Sequence, residues 1–86
     1  MKLYIVPTPI GNLKDITLRA LEVLKSVNYI VCEDTRRTKI LLDHYGIKDK
    51  KLIAYFAPKE EEKIPLILKI LEKEDVALVV DSGMPG

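Results

Sequence analysis

Four short stretches of the 86-residue chain hold the residue types that could do chemistry. Pro7-Thr8-Pro9-Ile10-Gly11-Asn12 and Asp81-Ser82-Gly83-Met84-Pro85-Gly86 are rich in Gly and Pro. Loops of that kind let a ligand approach backbone N–H and C=O groups closely. Glu33-Asp34-Thr35-Arg36-Arg37 sets two carboxylates beside two guanidiniums, and Phe56-Ala57-Pro58-Lys59 is the fourth stretch. The set suits a small, largely neutral ligand held by main-chain groups. Neither Gly-rich stretch matches G-x-G-x-x-G or the P-loop pattern with its Lys, so NAD and ATP are not expected.

Several of these residues have a second, purely structural reading. Asp34 has the type and position of a helix cap. Arg36 and Arg37 also fit as solvated surface charges. Asp81 ends a buried apolar run, where a carboxylate must be hydrogen-bonded or serve a ligand. Cys32 lies within Tyr29-Ile30-Val31-Cys32 and reads as a small buried hydrophobe. A nucleophilic Cys needs a nearby base, and His44 falls on the following helix pattern. One Cys and one His are too few for a zinc site, so no metal is expected.

The elements that position these stretches follow from periodicity. Leu3 to Val6 is a short apolar run without a polar face, which reads as a strand buried on both sides and ended by Pro7 and Pro9. A helix is predicted from about Asp15 to Ser26, capped by Asp15 or Thr17, with Ile16, Ala20, Leu21 and Leu24 on its apolar stripe. Tyr29–Cys32 is the second strand. A second helix runs from Arg36 to about His44, with Ile40, Leu41 and Tyr45 inward, and Gly46 and Ile47 forming its stop. Leu52 to Phe56 is a third strand. A third helix is favoured from Glu60 to about Lys73, with Pro65 tolerated in its early turns. Val76–Val80 is the most β-like run and is expected to be the central strand. Strands alternating with helices imply an α/β fold: a parallel sheet of about four strands with helices on both faces. Parallel strands then bring all four stretches to one edge.

Composition sets bounds. Hydrophobic residues make up 48% of the chain, which excludes disorder. The net charge of +1 announces no nucleic-acid binder, so RNA contact has to rest on a local patch. No apolar run approaches 18 residues and no intrachain disulfide is possible, so no membrane association is expected and a cytoplasmic protein is.

The wording of the motifs carries further than their spacing. Tyr4-Ile5-Val6-Pro7-Thr8-Pro9-Ile10-Gly11-Asn12-Leu13, Asp15-Ile16-Thr17-Leu18-Arg19-Ala20-Leu21-Glu22-Val23-Leu24, Glu33-Asp34-Thr35-Arg36 and Asp81-Ser82-Gly83-Met84-Pro85-Gly86 occur in order. Together they resemble the rRNA-modifying branch of the tetrapyrrole methylase family, the class III S-adenosylmethionine methyltransferases. The resemblance implies methyl transfer from S-adenosylmethionine to a cytidine ribose 2′-hydroxyl in 16S rRNA of the small ribosomal subunit. It also implies a homodimer of two-domain chains with the cofactor between the domains. Pro9, Ile10 and Gly11 would form one cofactor loop, and Asp81, Ser82, Gly83 and Met84 another. Glu33, Asp34, Arg36 and Arg37 would face the RNA side of the cleft. The catalytic residue is not identifiable. A corrin or porphyrin methylase of the same superfamily, or a non-catalytic α/β interaction domain, are the competing readings.

Two departures from the family pattern shape the expectations. The family's polar stretch after the third strand is replaced by Phe56-Ala57-Pro58-Lys59-Glu60. Residues 1–86 also correspond to a truncated N-terminal domain, with the C-terminal domain absent and the piece inactive by itself. The implied strand order is 3-2-4-1-5, with the fifth strand beyond Gly86. The first strand then becomes an edge, one sheet face is partly bare near the first helix, and self-association through that strand is expected.

Overall fold

Val76-Ala77-Leu78-Val79-Val80-Asp81 is an interior strand, with a partner strand on each side. The computed structural model describes residues 1–9, 11–55 and 60–81, and of Glu60 and Glu61 the backbone alone. The strands are β1 (Leu3–Thr8), β2 (Tyr29–Cys32), β3 (Lys51–Ala54) and β4 (Val76–Asp81). The helices are α1 (Leu18–Ser26), α2 (Thr35–His44) and α3 (Glu60–Leu71). All strand pairs are parallel and the order is β1-β4-β2-β3. This is the expected α/β fold, and the four strands follow the order the resemblance implies.

The chain order accounts for the layers. The steps β1 to β2 and β2 to β3 run in one direction across the sheet, and the step β3 to β4 runs back. With right-handed crossovers, α1 and α2 fall on one face and α3 on the other. Burial agrees. Val6, Ile30, Cys32, Ala77 and Val79 point to the α1–α2 side and pack with Ala20, Leu24, Val27, Leu41, Leu42 and Ile47. Leu24 is 0% exposed, and complete burial of one Leu side chain is worth about 1.5–3 kcal/mol. On the opposite face Val31 and Leu78 meet Ile64, Ile67, Leu68 and Leu71 of α3 around an apolar groove of about 200 Å³.

Several boundaries differ from the sequence expectation, each for a local reason. β1 continues through Pro7 to Thr8, and Pro7 stands opposite Val80. It is also covered on one face only. Tyr4, Val6 and Thr8 turn toward α1, while Leu3 and Ile5 are 44% and 57% exposed. Among the described residues the bare strip thus lies on the face opposite α1, not beside it, because α3 packs over β4 and reaches β1 only at Leu3. Asp15 is not the cap of α1. It sits in a 3-10 turn, Leu13–Asp15, that Asn12 caps, and the Thr17 hydroxyl accepts the Ala20 N–H at 3.0 Å.

In α2 the inward positions are Thr38, Leu41 and Leu42, and Ile40 is 60% exposed. The 38, 41, 42, 45 spacing puts Ile40 on the other side of the helix. Asp34 caps α2, accepting the Arg36 and Arg37 N–H groups at 3.0 and 3.3 Å. At its C-terminus Gly46 has φ 67°, Gly46 N–H reaches the Asp43 carbonyl at 3.1 Å, and Ile47 N–H reaches that of Leu42 at 2.9 Å. That is a Schellman stop with Ile47 buried as its apolar contact. α3 starts at Glu60 as favoured and carries Pro65 inside, giving up one backbone bond. β3 begins one residue earlier than expected and ends at Ala54, while Phe56 lies outside the described residues.

The caps give a direct check. Thr17→Ala should lower stability by about 1 kcal/mol, because Ala20 N–H loses its acceptor, whereas Asp15→Ala should leave it nearly unchanged. Urea unfolding of both variants, with unchanged m-values, reads this out.

Candidate functional site

Thr8 and Pro9, Cys32 and Glu33, Tyr55, and Asp81 close the four strands at the same edge of the sheet. Between them lies a cavity of about 760 Å³, floored by Leu78, Val79 and Val80 and walled by Arg37, Thr38, Ile40 and Leu41 of α2. Gly11 and Leu13 border it from the first loop. Its size falls within the range of about 300–1,000 Å³ usual for small-molecule sites.

Of the residues singled out in the sequence, Pro9, Gly11, Glu33, Asp34, Arg37 and Asp81 come together on this cavity. Arg36 is exposed and does not border it. Ile10, Ser82, Gly83 and Met84 lie outside the described residues, as does the stretch Phe56–Lys59. Sequence reasoning missed Thr38 and Tyr55, and gave Thr8, although it lies in the first stretch, no role of its own. Thr38 had a signal, since it follows the cap Asp34 by four residues and so shares its face of α2. Thr8 was obscured because Pro7 was read as the end of the strand.

The polar groups are partly committed. Arg37 Nη1 meets Asp81 Oδ2 at 3.3 Å, joining α2 to the end of β4. Their side chains are 43% and 42% exposed, so the pair is worth at most about 1 kcal/mol. Of the two alternatives for Asp81, a hydrogen bond or a ligand, the structure shows the hydrogen bond, and the side chain is not buried. Asp34 is both cap and lining residue, which unites its two readings. The buried Thr8 hydroxyl donates to the Val80 carbonyl at 3.4 Å. Tyr45 O–H donates to the Leu13 carbonyl, which ties the first loop to the end of α2. Glu33, Asp34 and Asp81 outweigh Arg37 in charge, so the cavity favours a ligand that carries positive charge.

The comparisons extend this geometry. A family model described as Tetrapyrrole (Corrin/Porphyrin) Methylases matches residues 2–86. The chain belongs to the tetrapyrrole methylase family. Its sequence is 60% identical over 87 residues to the Ribosomal RNA small subunit methyltransferase I of Hydrogenobaculum sp. (strain Y04AAS1), covering 100% of this chain and 38% of that protein. The proteins of the same name from Escherichia coli O157:H7 and Thermotoga maritima are 53% and 52% identical over 98% of this chain, which covers 29% and 38% of them. The chain therefore spans about a third of the length of the curated relatives it matches. Among the described residues no helix is long and apolar enough to cross a membrane.

Cys32 borders the cavity and is buried. Burial pushes its thiol above the usual range, a hydrogen bond with Thr38 pulls it back, and the Asp34 charge raises it again. Raised in the folded state, this acid group loses its proton later in the fold than in the unfolded chain. Stability is therefore unaffected below the unfolded thiol range, about 8.5, and falls as pH rises above it. Alkylation of Cys32 by iodoacetamide at pH 8 should be slow in the folded protein and fast in denaturant. The alkaline loss of stability should vanish in Cys32→Ala. Rapid alkylation of the folded chain would contradict this environment.

Proposed function

We propose that residues 1–86 are part of the N-terminal α/β domain of a cytoplasmic, homodimeric rRNA methyltransferase with a second domain elsewhere in its chain. Its substrate is a cytidine ribose 2′-hydroxyl in 16S rRNA of the small ribosomal subunit, and its methyl donor is S-adenosylmethionine. The observation that carries this reading is identity of 52–60% to relatives named Ribosomal RNA small subunit methyltransferase I over nearly the whole chain.

The cavity's chemistry is compatible with the cofactor. S-adenosylmethionine supplies an electrophilic methyl group on a positively charged sulfonium. Glu33, Asp34 and Asp81 supply negative charge near such a group, and the backbone at Pro9 and Gly11 offers main-chain contacts to a nucleoside. Thr8 and the floor of Leu78 and Val79 add a hydroxyl and an apolar wall. Transfer breaks the sulfur–methyl bond and forms an oxygen–methyl bond, and the hydroxyl proton leaves to a base that lies outside the residues assigned here. Ile10, Ser82, Gly83 and Met84 complete the cofactor loops in this proposal. The family model's own description keeps a corrin or porphyrin substrate as the second reading.

Two measurements test it. The complete protein with labelled S-adenosylmethionine and small ribosomal subunits should yield one methylated cytidine whose 3′ phosphodiester resists alkaline cleavage. Labelling of a tetrapyrrole instead would favour the second reading. The 86-residue chain alone should show no transfer and, by titration calorimetry, no affinity tighter than millimolar. With Arg37 and Asp81 over 40% exposed, its half-open cavity cannot enclose most of a ligand.

The two arginines should separate. Arg36 is free of the cavity, so in the complete enzyme Arg36→Ala should weaken RNA binding and reduce the log–log salt slope by about one unit. Arg37→Ala should change that slope less, since Arg37 is paired with Asp81. Equal slopes for wild type and Arg36→Ala would mean that Arg36 contacts no phosphate.

A further inference from the structure

Two side chains of α2 reach the two loops that bound the cavity. Near its N-terminus Arg37 Nη1 meets Asp81 Oδ2 at 3.3 Å, where β4 gives way to the second loop. At its C-cap the Tyr45 hydroxyl donates to the Leu13 carbonyl, where the first loop enters its 3-10 turn. The two anchors stand about 12 Å apart along the helix axis, at a rise of about 1.5 Å per residue. The helix between them is held fixed. Asp34 caps its first turn, Gly46 and Ile47 stop its last, and Leu41 and Leu42 are buried in the core. The ladder between β1 and β4 ends at the pair Thr8 and Asp81, and the Thr8 hydroxyl donates to the Val80 carbonyl. Past that pair, the contacts from α2 are what tie the loops to a rigid element. Partly exposed ion pairs add little to stability, so the value of these contacts lies in where they hold the loops.

We propose that α2 is the positioning element of the cofactor site. Arg37, acting through Asp81, and Tyr45, acting through Leu13, set the spacing of the two loops. The inference rests on the reading of the cavity as a site for S-adenosylmethionine. Neither side chain has to touch the cofactor. A ligand that spans two loops binds in proportion to how often both are in place at once. Losing either tether widens the range of loop separations, and binding must then narrow it again at a cost in affinity. Tyr45→Phe keeps the ring, which packs against the core, and removes the hydroxyl alone. Arg37 offers a test of sign. Its guanidinium lies on the cavity with the carboxylates of Glu33, Asp34 and Asp81. Acting by charge alone, it would repel a cation, and Arg37→Ala would tighten binding of one. Acting as a tether, its loss weakens binding even of a ligand without the cationic sulfur.

Calorimetric titration of the complete protein with S-adenosylmethionine and with S-adenosylhomocysteine, which lacks the sulfonium charge, decides this. Tyr45→Phe should weaken both ligands by the same factor, about fivefold, the worth of one hydrogen bond. Arg37→Ala should weaken S-adenosylhomocysteine about threefold, the scale of a partly exposed ion pair, and Arg37→Lys should recover part of that loss. The stoichiometry reports the folded share and the dissociation constant refers to folded molecules, so lower stability alone does not move it. Without ligand, the Lys14 and Asp15 amides, which bond to Asn12, should exchange faster in Tyr45→Phe than in wild type. Wild-type affinity for S-adenosylhomocysteine in both Tyr45→Phe and Arg37→Ala overturns the inference alone. So does an Arg37→Ala protein that binds S-adenosylmethionine more tightly and S-adenosylhomocysteine as before, since Arg37 would then act by charge. A complete wild-type protein that binds neither ligand overturns the cofactor reading and this inference with it.

Discussion

The backbone ladder of β4 is the constraint on which everything else depends. It bonds to β1 on one side and β2 on the other, and Val76 and Ala77 are completely buried. Its buried peptide groups, at Val76, Ala77 and Val79, must find partners there, because water is excluded. Without β4 the sheet would be two unconnected pieces, β1 alone and the β2–β3 pair. The cavity exists because this ladder aligns the ends of β1, β2 and β4, so residues from Thr8 to Asp81 reach one place.

Much of this was legible in the sequence. Apolar runs at strand length, separated by helical stripes, were enough for the order of elements and for a shared ligand edge. The Gly46-Ile47 stop was readable because a left-handed residue followed by an apolar one has one common use. What was not legible depended on tertiary context. Apolar runs cannot tell one covered face from two, and Ile5 reads as core although it is exposed among the described residues. Pro7 looked like a terminator because sequence does not say which side of a strand is free. Ile40 was placed inward because a stripe two residues wide leaves the helix phase open until Asp34 fixes its start.

The site was read in part for the same reason. Glu33, Asp34 and Asp81 could be named from their positions after strands, because parallel topology delivers strand ends to one edge. Their states could not. Asp81 was left between a hydrogen bond and a ligand, and it is half-exposed in an ion pair with Arg37. Cys32 looked merely apolar and lies in the cavity wall, where burial pushes its thiol up.

The pairing of β1 with β4 also dictates an order of events in time. The partners are far apart in sequence: Lys2 and Asp75, which hydrogen-bond at the foot of the ladder, are 73 positions apart. On a ribosome adding about 5–20 residues per second, β1 waits several seconds for its partner to be made. Meanwhile α2, β2 and β3 can form through contacts between near neighbours, which are the fast ones. Among β1 to β4, the first strand made is therefore the last to be locked in. During that interval its apolar residues stand open on both edges, and a chaperone or the ribosome surface has time to meet them.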